Sequence, residues 1–223
     1  MFLKSNTMVN ILEREVSILN QFVMELRSTD IQTDSMRFRR NLERIGEIFA
    51  LEISKKLNYK QVDVQTPLGV APSYVLSDKI VLGVILRAGL PFHNGFLNYF
   101  DKAENSFVTA YRKYNKDESF DIKIEYISSA NIDGKILILV DPMLATGASM
   151  VLTYRALLEY GTPEHVHIAS IISSAESIEY LKKNLIGKNN TIWTGAVDEE
   201  MTVKSYIVPG LGDAGDLAYG NKS

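Results

Sequence analysis

Cysteine is absent from all 223 residues. Its absence excludes a disulfide framework, thiolate metal sites and a cysteine nucleophile, and it fits a reducing compartment. Histidine is scarce as well, with only His93, His165 and His167. The last two share a strand face, but no third ligand stands near them in the sequence, so no metal centre is expected there. No stretch approaches the ~18 apolar residues of a membrane-spanning helix. Residues 1–7 lack the apolar core of a signal peptide. A cytoplasmic protein without membrane contact is the expectation. Excess positive charge is missing too: the net charge is −3 and the one basic cluster is Arg37, Arg39 and Arg40. A nucleic-acid partner, which needs a basic face, is therefore not expected. Any strongly anionic substrate would have to be met by local means: helix ends, main-chain N–H groups, one or two arginines, or a metal ion arriving with a phosphate.

The apolar share is 46% over a length that suits one large domain. Such a chain buries a core without staples. Helical spacing of Leu12, Val16, Leu19, Val23 and Leu26 predicts an amphipathic helix over 9–27. A second helix follows the capping-rich stretch 28–34, with Phe38, Leu42, Ile45, Phe49, Ile53 and Leu57 on one face. Beyond residue 58, apolar runs alternate with helical patterns. Strands are predicted from Val62 to a stop at Pro67, over 79–86, 106–112, 120–127, 136–140, 166–172 and 191–197. Helices are predicted over 90–100, over 150–160 with Gly161 as its stop, and from a Ser173/Glu176 capping box through 185. The pair 106–127, with its charged tip, reads as a projecting hairpin. Buried strands alternating with helices imply a doubly wound, mostly parallel α/β sheet covered on both faces. Ligands in such sheets bind at the carboxyl ends of the strands.

The most informative run is Ile136-Leu137-Ile138-Leu139-Val140-Asp141-Pro142-Met143-Leu144-Ala145-Thr146-Gly147-Ala148-Ser149. A buried strand ends in an acid, a proline and small residues, and a helix follows. On pattern alone this is either an ordinary turn in which Asp and Thr cap, or a phosphate loop aiming N–H groups and a helix N-terminus at an anion. Arg87 leaves the end of strand 79–86 and Arg112 the end of strand 106–112, so with Asp141 they converge on one sheet edge. Near the end of the chain, Gly210-Leu211-Gly212-Asp213-Ala214-Gly215 matches the G-x-G-x-x-G dinucleotide fingerprint. Context refutes that match, because the fingerprint needs a helix, a second strand and an acid about 20 residues on, and only eight residues remain after Gly215.

The segment from Val140 to Gly147 resembles the loop that holds 5-phospho-α-D-ribose 1-diphosphate (PRPP) in phosphoribosyltransferases, in the form found in their uracil-specific branch. Ile85-Leu86-Arg87-Ala88-Gly89-Leu90, Tyr111-Arg112 and the run from Tyr206-Ile207-Val208-Pro209 to Asp216 resemble that family in the same order, and Arg37-Phe38-Arg39 more weakly. The resemblance implies the type I phosphoribosyltransferase fold in a single domain over 1–223. Within it, N-terminal helices occupy 1–58, a hairpin arm 106–127 and a base-binding segment 198–220. It implies uracil and PRPP as substrates, UMP and diphosphate as products, Mg2+ as cofactor and a homo-oligomer, dimer or tetramer. It also implies a division of labour. PRPP falls to Arg87, Arg112, Asp141, Pro142, Met143, Leu144, Ala145, Thr146, Gly147, Ala148, Ser149 and Asp213. Uracil falls to Ile207, Gly212, Asp213 and Ala214. Catalysis rests on Arg87, Arg112, Asp141 and Asp213. Pro142 stands where many relatives have a second acid, so the magnesium is expected to be carried by PRPP rather than caged by protein. Ala148 replaces a usual glycine; its methyl is harmless only if its φ is negative. Leu217, Pro91 and Asn94 also depart from the common pattern. They keep open another base specificity; a non-catalytic PRPP or UMP sensor is the rival of another class, and the retained Arg87, Asp141, Thr146 and Asp213 count against it.

Overall fold

The structure, a computed structural model, describes residues 7–114, 120–185 and 189–221; side chains over 111–122 lie outside the described part. The chain begins differently from the expected helix over 9–27. Its first half is a strand, β1 (Met8–Ile11), followed by a single 3-10 turn. The helix proper, α1 (Ile18–Arg27), starts at Ser17. Ser17 accepts from the Leu19 N–H, and its own N–H donates to Asn20 Oδ1 at 2.8 Å. That local cap competes with helix continuation upstream. Meanwhile Val9 and Ile11 take strand partners at Ile192 and Thr194, and Val16 is left exposed. α2 (Ser35–Ser54) follows, capped by the Asp34 carboxylate, and buries Phe38, Leu42, Ile45, Phe49 and Ile53 as predicted. The buried Glu25 ties the two helices together. Arg37 donates to both of its oxygens and Asn41 to one. Those bonds outweigh the burial penalty and lower its pKa to about 2.

The run after Val62 is one arm of a hairpin that the sequence pattern did not reveal: β2 (Tyr59–Thr66) pairs antiparallel with β3 (Gly69–Leu76), apart from the main sheet. Next come β4 (Ile80–Leu86), α3 (Gly89–Leu97), β5 (Glu104–Tyr114), β6 (Phe120–Ser129), β7 (Ile136–Val140) and a short extension, β8 (Met143–Leu144). α4 (Ala148–Leu157) leads to β9 (His165–Ser174) and α5 (Ala175–Asn184). The cap of α5 is Ser174 rather than Ser173, since Ser174 accepts from the Ser177 N–H. Ser173 is still strand, its hydroxyl accepting from Thr194. β10 (Asn190–Asp198), β11 (Glu200–Met201), β12 (Ile207–Val208) and α6 (Ala214–Tyr219) complete the chain.

The central sheet runs β1-β10-β9-β7-β4-β5-β6. Every neighbouring pair is parallel except β5 with β6. One apolar cluster joins α1, α2, α3 and α6 to one face, and a second joins α4 and α5 to the other. The doubly wound expectation therefore holds. The hairpin over 106–127 is only partly an arm. Up to Thr109, β5 lies in the sheet beside β4; past a bulge at Thr109/Ala110 it pairs only with β6. β4 connects outward to β5 and β7 outward to β9, through helices on opposite faces. The carboxyl ends of β4 and β7, paired as far as Val84 with Val140, thus form the switch point where an open sheet leaves a crevice.

Candidate active site

A cleft of about 510 Å³ opens at that switch point. Leu86 and Arg87 reach it from β4, and Asp141, Pro142, Met143, Ala145 and Ser149 from the stretch after β7. Ser205, Tyr206, Ile207, Gly212, Asp213, Ala214 and Gly215 close it from the C-terminal segment. Two stretches about 65 residues apart in sequence thus share one cavity, as the resemblance requires.

The loop after β7 is shorter than its sequence suggests. The Asp141 N–H still donates to Ala169 O at 3.1 Å. The Pro142 carbonyl accepts from the Ile171 and Ile172 N–H groups, and β8 pairs with β9 at Met143 and Leu144. Proline suits this position because its missing N–H is not asked for. Leu144 consequently places its side chain in the core. The free arc begins at Ala145, whose carbonyl is tied back by the Ser174 hydroxyl. Gly147 has φ +76° and begins α4 as its cap. A Cβ there would lie 2.7 Å from Leu181 Cδ1 and 3.2 Å from Ser177 O. Packing against α5 and the left-handed φ therefore explain this glycine better than close approach to a phosphate. Ala148 is the first helical residue and is not among the positive-φ positions; its methyl is harmless. Thr146 Oγ1 accepts from the Ala148 N–H at 3.3 Å, a capping role, and neither Thr146, Gly147 nor Ala148 lines the cleft. Ser149 does, at the opening turn of α4, where N–H groups have no intrahelical acceptor.

Asp141 is only partly exposed at the cleft floor. Desolvation raises its pKa to about 7, although the Met143 N–H favours the charged form. Its carboxyl is therefore poised near neutrality, and a cation beside it would restore the charge. Arg87 is more exposed. Its guanidinium reaches Asp216 Oδ1 at 3.4 Å and Gly220 O at 3.3 Å, spanning from the end of β4 to α6. Arg112 is opposite Ile122 in the β5–β6 ladder; its side chain lies outside the described part. Asp213 lines the cleft but spends one oxygen as a helix cap, accepting from Gly215 N at 2.8 Å and Asp216 N at 3.0 Å. The expected uracil residues Ile207, Gly212 and Ala214 all face the cleft. Sequence reasoning missed Ser174, Ser205 and Tyr206. Ser205 is the one described non-glycine residue with positive φ, at 60°. Tyr206 opens the C-terminal run that carries the resemblance but had no role assigned to it, while Ser174 and Ser205 belong to no motif, and only the fold brings them to this edge. Among the described residues, no group of three or more His, Asp or Glu could hold a metal ion.

A family model described as uracil phosphoribosyltransferase matches residues 16–221. A protein of Porphyromonas gingivalis named uracil phosphoribosyltransferase is 59% identical over 208 residues, covering 93% of this chain and 96% of that one. A protein of the same name from Methanothermobacter thermautotrophicus is 37% identical over 211 residues, covering 92% and 95%. Among solved structures, the AQ2163 protein of Aquifex aeolicus superposes with a TM-score of 0.83 at 30% identity, covering 96% of this chain and 98% of that one.

Proposed function

The chain belongs to the uracil phosphoribosyltransferase family, and on that premise we propose that it joins uracil to PRPP, giving UMP and diphosphate. The observation that carries the reading is one cleft shared by Asp141, at the end of β7, and the main-chain segment around Gly212. In the proposed reaction N1 of uracil attacks ribose C1, the C1–O bond to diphosphate breaks, and the N1 proton is lost. Positive charge develops on the ribose in the transition state, where the Asp141 carboxylate would stabilise it. The N–H groups of Ala145 and Ser149, the two residues of this turn that line the cleft, would hold the 5′-phosphate at the start of α4. Arg87 and Arg112 would meet the leaving diphosphate, the planar guanidinium matching its oxygens. To do so Arg87 must release Asp216, an exchange made easy by the long 3.4 Å contact.

Main-chain groups of Ile207, Gly212 and Ala214 would pair with the acceptor–donor–acceptor edge of uracil. Cytosine carries an amine in place of O4 and would leave buried partners unpaired. Among the described residues only Asp141 and Asp213 bring carboxylates to the cleft, and Asp213 spends one oxygen as a helix cap, so the residues suit Mg2+ brought in on PRPP with water rather than caged by protein. When bound, the ion would neutralise charge on the diphosphate. Incubating the protein with labelled uracil, PRPP and Mg2+ is expected to yield labelled UMP; no UMP over a range of pH and metal concentration would overturn the assignment.

A homo-oligomer accompanies this reading. The hairpin of β2 and β3 exposes Val64, Leu68, Val70 and Tyr74, and a two-stranded sheet is marginal alone in water. Substituting Val70→Glu with Tyr74→Glu is expected to lower the sedimentation mass; an unchanged mass would remove the hairpin from the interface. No described helix is long and apolar enough to cross a membrane; a cytoplasmic location is part of the same proposal.

A further inference from the structure

A recognition site made of main-chain groups raises a problem that side-chain sites do not have. The groups themselves cannot be tuned by substitution, so their direction must be set by whatever grips the turn. The turn from Ile207 to Gly210 is tight. Gly210 sits at φ +56°, and any Cβ there would collide with the Ile207 carbonyl. Both polar atoms of Gly210 are held from outside by the same ion pair. Its N–H donates to Asp198 Oδ2 at 2.9 Å, and its carbonyl accepts from Arg27 Nη1 at 3.0 Å. Arg27 and Asp198 in turn form a two-pronged pair, Nη1 to Oδ2 at 2.7 Å and Nη2 to Oδ1 at 2.8 Å. Arg27 is the last residue of α1 and Asp198 the last of β10. Asp198 is buried. Burial alone would raise its pKa, but Arg27 and the Gly210 N–H outweigh that and hold it below the ordinary carboxylate value. The pair touches neither the phosphate loop nor Arg87.

We propose that Arg27 and Asp198 are positioning residues for the base: they clamp both main-chain atoms of Gly210 and so aim the flanking Ile207 and Gly212 groups at the pyrimidine edge. This rests on the base-site reading above. It assigns a specificity role to residues outside the cleft and predicts an effect confined to one substrate. Arg27→Lys, which keeps the charge but loses the fork, and Asp198→Asn are each expected to raise KM for uracil about 10- to 100-fold, as for a lost charge-assisted hydrogen bond. KM for PRPP should change less than about twofold, and the preference for uracil over cytosine should narrow.

A charged partner left alone can unfold a protein, so a double variant, Arg27→Met with Asp198→Leu, tests the role apart from stability. Replacing a buried pair by apolar groups of similar size is often neutral for stability, although the Gly210 N–H and carbonyl lose their partners, so Tm should fall less than in either single variant while KM for uracil rises at least as much. Amide hydrogen exchange on the unsubstituted protein adds a measurement that needs no variant, and the Gly210 N–H should be protected without ligand. Equal changes in KM for both substrates, an unchanged KM for uracil in folded variants, or rapid exchange at Gly210 would each overturn the clamp. Absence of UMP formation by the unsubstituted protein would instead overturn the functional reading, while the exchange result would still report on the clamp.

Discussion

Asp141 shows how one residue can oppose the fold that hosts it. Its pKa is raised from 3.8 to about 7 chiefly by desolvation. The native state therefore binds a proton more tightly than the unfolded chain. Between pH 4 and 7 the native carboxyl stays protonated while the unfolded one ionises, so this group withdraws stability as pH rises, and fully so above 7. Asp141→Asn removes that penalty. It is expected to leave stability at pH 8 unchanged or raise it by roughly 1–3 kcal/mol, while lowering kcat by about 100-fold or more through loss of charge beside the ribose. Urea midpoints at pH 5 and 8, with initial rates at saturating substrates, check both parts. Loss of stability at pH 8 would contradict the argument. The acid itself was legible in the sequence, because a carboxylate directly after five apolar residues is conspicuous. Its protonation was not, because desolvation depends on what the fold packs around the carboxyl. Asp213 teaches the converse. The sequence marks it as reactive, yet its nearest polar contacts are the N–H groups of its own helix start.

At the scale of elements, the β7–α4 connection divides its work between two adjacent small residues. Gly147 carries the left-handed φ and the contact with α5, and Ala148 carries ordinary helical geometry. Gly147→Ala is accordingly expected to destabilise by about 1–3 kcal/mol, and Ala148→Gly by less than about 1 kcal/mol, the usual helix-propensity difference. Chemical denaturation of both variants gives the comparison; equal effects would mean that the strain is shared. The sequence displayed both residues but ranked them by resemblance, which made Ala148 look like the anomaly. The first element failed for a related reason. Helical spacing across Leu12 and Val16 was real, but a free edge of β10 offered the chain main-chain partners at Met8 to Ile11. Partners of such long separation leave no trace in local periodicity. The Ser17 and Asn20 pair was the local signal that marked the true helix start.

For the whole molecule, β9 holds a second titrating centre on the amino-end side of the cleft. The rings of His165 and His167 lie 4.5 Å apart on β9. The Trp193 indole N–H donates to His167 Nδ1 at 3.1 Å, a bond that requires an unprotonated acceptor. Burial, with a smaller effect from His165, lowers the His167 pKa to about 3. Native His167 thus stays neutral while the unfolded residue gains a proton below about 6.5. Its contribution is complete above that pH and declines as pH falls toward 3. Roughly 2–3 kcal/mol should be lost between pH 6.5 and 4, in the opposite sense to Asp141. His167→Asn, which keeps an acceptor near Trp193 but does not titrate, is expected to flatten that limb of the stability–pH curve. Parallel curves for the two proteins would reject the assignment.

The sequence by itself determined the doubly wound class, most strands of the sheet and the residues at their carboxyl ends. These follow from local quantities: apolar runs that need burial on both faces, caps, and abrupt strand endings. Tertiary structure alone decided that β1 is a strand and that Leu144 is core. It also decided that Gly147 serves packing, and that Arg27 and Asp198 grip Gly210 across the fold. Each of these depends on partners far away in the chain, where hydrogen-bond geometry and desolvation are set by what the fold brings near rather than by what the neighbours in sequence are.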